Sequence, residues 1–307
     1  MTDEYFARLV VYLTQTGVAL LLSYLLWTLS KTYQQGYIRN WQIALFAFAL
    51  YQAGILLQLL STQSPLLMMV LQFITVTSSY VFAVFLLRGM LLVRDSTNKV
   101  VTGVSASKIL ILLVIVGAIN TLPFDLNPSL HDWQNYFQVQ IRLLVMGGLL
   151  LTAAVSLLHR MEQTLGQRLA IVVLCFWGVL YIGYSLWMVL GNLAEFDEKL
   201  RLIYKCIELF LLCSLGLALL IWLHEQERNT NRQLTEKTRY LNRYDQLTGA
   251  LNRDALLALL QEKIQLSGQA PLYLLLLGLD KFKTINESVG LKQGDIVLKL
   301  LNQRFEA

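Results

Sequence analysis

Long apolar stretches alternate with short polar segments over the first 224 residues of the chain. An α-helix needs roughly 20 consecutive apolar residues to cross the hydrocarbon core of a bilayer, and these stretches are about that long. The pattern predicts seven transmembrane helices, at about residues 9–30, 41–61, 66–92, 108–124, 138–158, 168–191 and 204–224. The fourth is the least regular, because Asn120 and Pro123 interrupt its apolar run.

The composition supports a location in the lipid bilayer. The chain is 56% hydrophobic and 15% charged, with a mean hydropathy of +0.53, whereas soluble domains have about 45–50% apolar and about 25% charged residues. Residues 9–30 are predicted to be an uncleaved first span, because no small-residue cleavage site follows them. The net charge of +5 is explained by the loops and a polar linker, so no nucleic-acid partner is predicted.

Lysine and arginine in the short loops predict the orientation, because they are enriched on the cytoplasmic side of membranes. With the amino terminus outside, the inner loops hold Lys31, Arg39, Arg88, Arg94, Lys99, Lys108, Arg160 and Arg168. The outer loops hold Arg8, Arg142, Lys199, Arg201 and Lys205. We therefore expect seven crossings, with the amino terminus outside and the carboxyl terminus in the cytoplasm.

The chain changes character after the last apolar stretch. Residues 1–223 are predicted to form the membrane domain, and the polar residues 224–244, which lack Gly and Pro, are predicted to continue its last helix as a linker. Leu220, Leu234 and Leu241 recur at multiples of seven, which is compatible with a two-stranded coiled coil or with a solvated connecting helix.

Residues 245–307 show a different pattern. Apolar residues at helical spacing predict a helix over 254–265, the run from Tyr273 to Leu277 predicts a buried strand, and a second amphipathic helix is expected from Asp295. This order predicts the opening of an α/β domain. A segment of this size buries little surface for an independent domain.

Two motifs stand out in this segment: Asp245-Gln-Leu-Thr-Gly-Ala-Leu-Asn-Arg253 and Asp280-Lys-Phe-Lys-Thr-Ile-Asn-Glu-Ser-Val-Gly-Leu-Lys-Gln-Gly-Asp295. By itself, the first suits a tight turn before a helix, with Gly249 free to adopt positive φ. Together, at this separation, they resemble the opening half of a GGDEF (diguanylate cyclase) domain. The matching positions of the second motif are Phe282, Lys283, Ile285, Asn286, Gly290, Gly294 and Asp295.

The resemblance implies a bacterial inner-membrane protein of cyclic di-GMP signalling. Members of that family condense two GTP molecules into cyclic di-GMP, with two domains facing each other in a homodimer. By resemblance, Asn286 and Asp295 would recognise the guanine base, and Phe282 and Lys283 would lie along the triphosphate. An amide and a carboxylate suit the donors and acceptors of a purine edge, and an ammonium suits phosphate.

The sequence also departs from the family pattern. Gly278 stands where the family has the first Asp of a metal-binding Asp-x-Asp pair, and the chain reaches Ala307 before any Gly-Gly-Asp/Glu-Glu-Phe signature. Mg²⁺ is normally held by carboxylates, phosphates and water, so we assign neither a catalytic residue nor a metal ligand. Mg²⁺ is expected only in a complete domain, and the chain as given is predicted to be inactive. The alternative is a non-enzymatic membrane receptor or degenerate GGDEF regulatory protein that acts through partners.

Two ionisable side chains, Arg142 and Glu208, are placed deepest in the predicted spans, toward the outer ends. Charges within the membrane are usually paired or functional, so they predict an ion pair or a small-ligand pocket. The alternative is that both side chains reach out to the nearby interface. Five tryptophans lie near span ends, where Trp commonly anchors helices at the interface: Trp27, Trp41, Trp133, Trp187 and Trp222.

Overall fold

The computed structural model describes residues 3–60, 64–94, 105–126, 136–158, 163–190, 198–267 and 271–306. The chain divides into two compact units, Met1–Glu225 and Gln226–Ala307. The first contains most of the apolar helices, and the second contains both sequence motifs.

Nearly all described residues of the first unit are helical. Its elements are α1 (Asp3–Tyr33), α2 (Gly36–Leu60), α3 (Pro65–Arg94), α4 (Ala106–Leu126), a π-helical turn (Tyr136–Ile141), α5 (Arg142–Leu158), α6 (Leu165–Leu190) and the first part of α7 (Glu198–Arg243). The residues at the N-terminus of α3 explain why this helix begins there. Ser64 Oγ accepts a hydrogen bond from the Leu67 amide, and Pro65 occupies the first helical position, which suits its missing N–H.

Six helices of the described ranges are long and apolar enough to cross a membrane. They comprise Tyr5–Tyr33, Gly36–Leu60, Pro65–Val93, Gln138–Leu158, Leu165–Met188 and Lys199–Arg243. The predicted span 108–124 does fold as helix α4, but the apolar part described, Ala106–Thr121, is shorter than the others. The count of seven crossings is therefore not confirmed. Polar Asn120 and Thr121 end the apolar run, and Asn120 Nδ2 donates to the Tyr80 hydroxyl of α3 at 2.7 Å.

An aromatic cluster fills the centre of the first unit. Phe48 of α2, Phe82 of α3 and Trp177 of α6 are fully buried, with ring centroids 5.0–5.7 Å apart. Trp41 and Trp222 are also buried and pack against each other at 5.1 Å. Both indoles are therefore covered by protein, and their location at the membrane interface stays a prediction. Their rings join α2 to α7, because an indole buries more apolar surface between helices than most side chains.

A buried polar network joins four helices around Glu208. Glu208 of α7 is fully buried, and its Oε2 accepts from Lys205 Nζ at 2.7 Å and from Gln52 Nε2 of α2 at 3.0 Å. The Tyr181 hydroxyl of α6 donates to its Oε1. Gln15 Nε2 of α1 donates to the Lys205 carbonyl at 2.8 Å. The predicted alternative that Glu208 reaches the interface is wrong, because protein groups satisfy the carboxylate in the interior.

The helix α7 runs without interruption from Glu198 to Arg243, which confirms that the last apolar helix continues through the predicted linker. Near the end of the first unit, the Glu225 carboxylate accepts from the backbone amides of Leu165 and Gly166, both at 3.0 Å. A carboxylate at a helix N-terminus satisfies free amides and complements the helix dipole. This contact fixes α7 to the start of α6.

The second unit continues with α8 (Arg253–Ser267), α9 (Phe282–Val289) and α10 (Leu291–Glu306). Residues 271–279 form neither helix nor strand, and the side chains of Tyr273 and Leu276 are 89% and 94% exposed. The predicted buried strand at Tyr273–Leu277, and with it the α/β character, is not confirmed. A strand needs backbone partners on a neighbouring strand, and the described part of this unit offers only the isolated bridge between Tyr244 and Leu251.

The Glu208 network generates a stability prediction. Glu208→Ala leaves Lys205 buried without its carboxylate, which typically costs about 3–5 kcal/mol for a buried pair. We expect a clearly lower thermal midpoint for the detergent-solubilised protein. Glu236→Ala, on the exposed part of α7, removes the same charge and is expected to leave the midpoint unchanged. Equal midpoints for the two variants would show that the network does not stabilise the fold.

Candidate functional site

The first motif forms the turn that connects α7 to α8. Asp245 Oδ1 accepts hydrogen bonds from the Thr248 amide at 2.9 Å, the Thr248 hydroxyl at 2.8 Å and the Leu247 amide at 3.2 Å. These bonds, chiefly those from Thr248, favour the ionised carboxylate and lower the pKa of Asp245. Gly249 has φ +79°, and its amide donates to the Asp245 carbonyl at 2.9 Å. The expected tight turn is confirmed.

Asn252 completes this connection on both sides. Its Nδ2 donates to the Asn242 carbonyl at the end of α7, and its Oδ1 accepts from the Ala255 amide at the start of α8. Asn302 Nδ2 of α10 also donates to the Thr248 carbonyl at 3.1 Å. The turn therefore ties three helices of the second unit together. Hydrogen bonds of this turn therefore connect the end of α7 with α8 and with α10.

The second motif forms a short helix, a glycine turn and the start of α10. Lys281 precedes α9 with φ 52°, and Gly290 ends it with φ +88°. The Gly290 amide donates to the Asn286 carbonyl at 3.0 Å, and its own carbonyl accepts from the Gly294 amide at 3.2 Å. A residue with a Cβ is strained at such positive φ, which explains the glycine at this position.

The turn brings Phe282, Asn286 and Gly294 together. Gly294 is buried, and a Cβ placed on it would overlap Asn286 Oδ1 and lie 3.3 Å from Phe282 Cζ. Asn286 Oδ1 is shielded from solvent and has no hydrogen-bond partner in the described part of the chain. Buried acceptors are normally satisfied, so a lone one marks a place where a donor is missing.

The other two residues assigned to nucleotide binding are on the surface. Lys283 is 90% exposed, and its Nζ lies 3.9 Å from Glu287 Oε1 in an exposed pair. Such pairs contribute about 0–1 kcal/mol, so the ammonium is readily available to another anion. Asp295 is exposed and directly follows Gly294, as the fifth residue of α10. Thus the fold groups Phe282 with Asn286, whereas Lys283 and Asp295 flank them.

The residues present do not fit a divalent metal site. Gly278 and Asp280 lie in the exposed stretch before α9, and glycine supplies no side-chain ligand. Over the described residues, no group of three or more His, Cys, Asp or Glu side chains is placed to hold a metal ion. Mg²⁺ requires oxygen ligands in near-octahedral geometry, which these two positions do not supply.

A second candidate site lies in the first unit, where the sequence predicted either an ion pair of Arg142 with Glu208 or a small-ligand pocket. A cavity of about 390 Å³ is lined by Tyr12 of α1, Tyr51 of α2, Arg142 of α5 and Tyr204 of α7, among others. Arg142 does not pair with Glu208; its guanidinium lies 5.4 Å from the Tyr51 ring centroid, and Lys205 takes the carboxylate instead. The i,i+3 spacing of Lys205 and Glu208 on one helix was the available signal.

Comparison with known proteins finds a family match for one part of the chain. Residues 242–307 match the family model described as "Diguanylate cyclase, GGDEF domain". No curated protein and no solved structure matches. The matched segment includes the Asp245 turn, the Phe282–Asp295 motif and all four residues assigned to nucleotide binding.

The packing of Gly294 generates a prediction. Gly294→Ala places a Cβ on Asn286 Oδ1, so α9 and α10 must move apart, and overpacking of this kind typically costs about 1–3 kcal/mol. We expect faster amide hydrogen exchange over residues 282–306.

Gly278→Ala is the matched control, because a Cβ there has no atom within 4 Å. We expect its exchange pattern to equal that of the parent chain. If Gly294→Ala also exchanges like the parent, the contact between Asn286 and Gly294 does not hold α9 against α10.

Proposed function

We propose that this membrane-bound GGDEF protein is a sensor of cyclic di-GMP signalling, in which the apolar unit controls a cytoplasmic guanine-nucleotide-binding segment. The observation that carries the proposal is the family match at residues 242–307, on a segment joined to the apolar unit by the single helix α7. The Glu208 network and the Glu225 contact both fasten α7 inside the first unit. Movement of those helices therefore reaches Arg243 and the turn at Asp245.

Guanine recognition is proposed at Asn286 and Asp295. The Asn286 side chain carries an amide that suits a purine edge, the exposed Asp295 carboxylate can accept from a ring N–H and an amino group, and the Gly294 contact keeps the two residues close. Phe282 and Lys283, at the start of α9, are proposed to lie along the triphosphate. There, an exposed ammonium can form charge-assisted hydrogen bonds with phosphate oxygens.

Condensation of two GTP molecules into cyclic di-GMP is proposed for a complete domain supplied with Mg²⁺. Gly278 supports a second candidate function, a regulatory GGDEF protein that binds nucleotide or partners without catalysis. The two candidates share the nucleotide site and differ only in metal-dependent chemistry.

A homodimer is proposed through the exposed part of α7. Leu234 and Leu241, seven residues apart, are 57% and 40% exposed on a helix segment that is otherwise polar. Apolar residues at this repeat pack in the seam of a two-stranded coiled coil. Pairing of α7 would bring two GGDEF segments together.

Seven crossings of a bacterial inner membrane are proposed, with the amino terminus outside and the carboxyl terminus in the cytoplasm. The cavity supports a chain that crosses in alternating directions, because helix starts and helix ends meet in its wall. The starts of α1, α5 and α7 contribute Tyr12, Arg142 and Arg201, and the ends of α2 and α6 contribute Ile55 and Met188. These helix ends therefore lie on one side. Since α3 leads away from that side and α5 begins on it, α4 is proposed to make the return crossing.

Titration with GTP tests the nucleotide site. Loss of one partner of a buried hydrogen bond costs about 1–3 kcal/mol, so Asn286→Ala and Asp295→Ala should each weaken GTP binding by about tenfold or more. Calorimetry on the detergent-solubilised 307-residue chain measures the effect. Gln303→Ala, an exposed change on α10, serves as the control. If both variants bind GTP like the parent, the base is held elsewhere.

Reporter fusions test the orientation. A fusion at Thr230, on the polar part of α7, should report a cytoplasmic location, and one at Leu130 should report an external location. The physical reason is that the Lys/Arg-rich loops remain inside. An external signal at Thr230 contradicts both the orientation and the link to cytoplasmic GTP.

A further inference from the structure

The cavity in the first unit has basic residues in its wall. Among the described residues, its lining includes Arg142, Arg201 and Lys205 and neither Asp nor Glu. The Glu208 carboxylate neutralises Lys205 from one side, with Nζ and Oε2 2.7 Å apart. Arg142 and Arg201 are the other basic residues of the wall, in a setting where charged side chains are usually paired or functional.

Two polar groups on the cavity wall lack partners within the described residues. Arg142 is 8% exposed, and its Nε makes no hydrogen bond. Tyr204 is 7% exposed, and its hydroxyl also makes none. A buried guanidinium N–H and a buried hydroxyl are normally satisfied. The guanidinium N–H can only donate and the hydroxyl can donate, so an acceptor suits both groups, and the adjacent cations favour an anionic one.

The remaining wall is aromatic and apolar. Tyr12, Tyr51, Tyr184 and Tyr204 line it together with Ile55 and Met188. The volume of about 390 Å³ lies in the range of small-molecule sites, roughly 300–1,000 Å³. Tyrosine rings offer flat apolar faces to a ligand body, and charged residues at one end orient its polar group.

We propose that this cavity binds a small organic anion, whose carboxylate or phosphate meets Arg142 and the Tyr204 hydroxyl and whose apolar or aromatic body packs among the tyrosines. Two sources share this chemistry: a soluble organic anion and the headgroup of an anionic lipid. The binding site stands on the cavity alone, whereas its role as the sensed signal rests on the proposed function. Lys205 links the anion to the Glu208 network and so to α7.

The test uses the full 307-residue chain in nanodiscs of phosphatidylcholine, without nucleotide. Benzoate and phenyl phosphate are titrated as probes, with benzamide as the uncharged counterpart of benzoate, and binding is followed by tyrosine and tryptophan fluorescence. At least one anion should bind saturably and about tenfold or more tighter than benzamide, since ionised acceptors make the stronger hydrogen bonds. Failure of both anions to bind, or equal binding of benzamide, overturns the proposal.

Variants locate the site. Arg142→Gln should weaken anion binding by about tenfold or more, and Tyr204→Phe, which removes only the hydroxyl, by a smaller factor. Arg39→Gln makes the same charge change at an exposed position near the opposite end of α2 and should bind like the parent. If Arg142→Gln does not fold, Tyr204→Phe decides. Unchanged affinity in Tyr204→Phe, or in a folded Arg142→Gln, overturns the proposal.

Lipid composition distinguishes the two sources. If phosphatidylglycerol added to the nanodiscs competes with the probes in the parent chain, the site takes an anionic headgroup; if it does not compete, the site takes a soluble anion. Each result supports the anion site. GTP titration of the same samples separates the two proposals, because anion binding without GTP binding leaves the cavity assignment intact and rejects only the nucleotide site.

Discussion

A buried carboxylate, Glu208, organises the membrane-type unit. Its oxygens accept hydrogen bonds from side chains of α2, α6 and α7, and Lys205 beside it is held by Gln15 of α1. Removing two charges from water is costly, and only close pairing with further hydrogen bonds offsets that cost. The four helices therefore have to meet in one register, because a slip of any of them leaves a charge or an amide unsatisfied.

The cavity and the helix α7 both depend on that register. Lys205 contributes to the cavity wall and also pairs with Glu208, so the same residue belongs to the network and to the candidate anion site. One helix, α7, then continues from this network to the turn at Asp245. A single helix therefore connects the network with the segment that matches the GGDEF family model.

Local interactions explain the second unit. The Asp245 carboxylate, the left-handed Gly249 and the Asn252 cap together reverse the chain from α7 into α8. The contact of Gly294 with Asn286 places the two proposed base-recognition positions next to each other across the α9–α10 turn. Each of these arrangements uses short-range hydrogen bonds or close backbone approach, so each forms within the described segment without a sheet.

The sequence by itself determined the apolar helices, the helical continuation through the linker, the Asp245 turn and the family resemblance of residues 242–307, because these follow from local periodicity and spacing. Tertiary structure decided what periodicity cannot express. In the folded chain, Trp41 and Trp222 pack against each other in the interior. Glu208 pairs with Lys205 and not with Arg142, and Arg142 lines a cavity. Tertiary structure also left Tyr273–Leu277 unpaired, since a strand depends on a neighbour that local sequence does not specify.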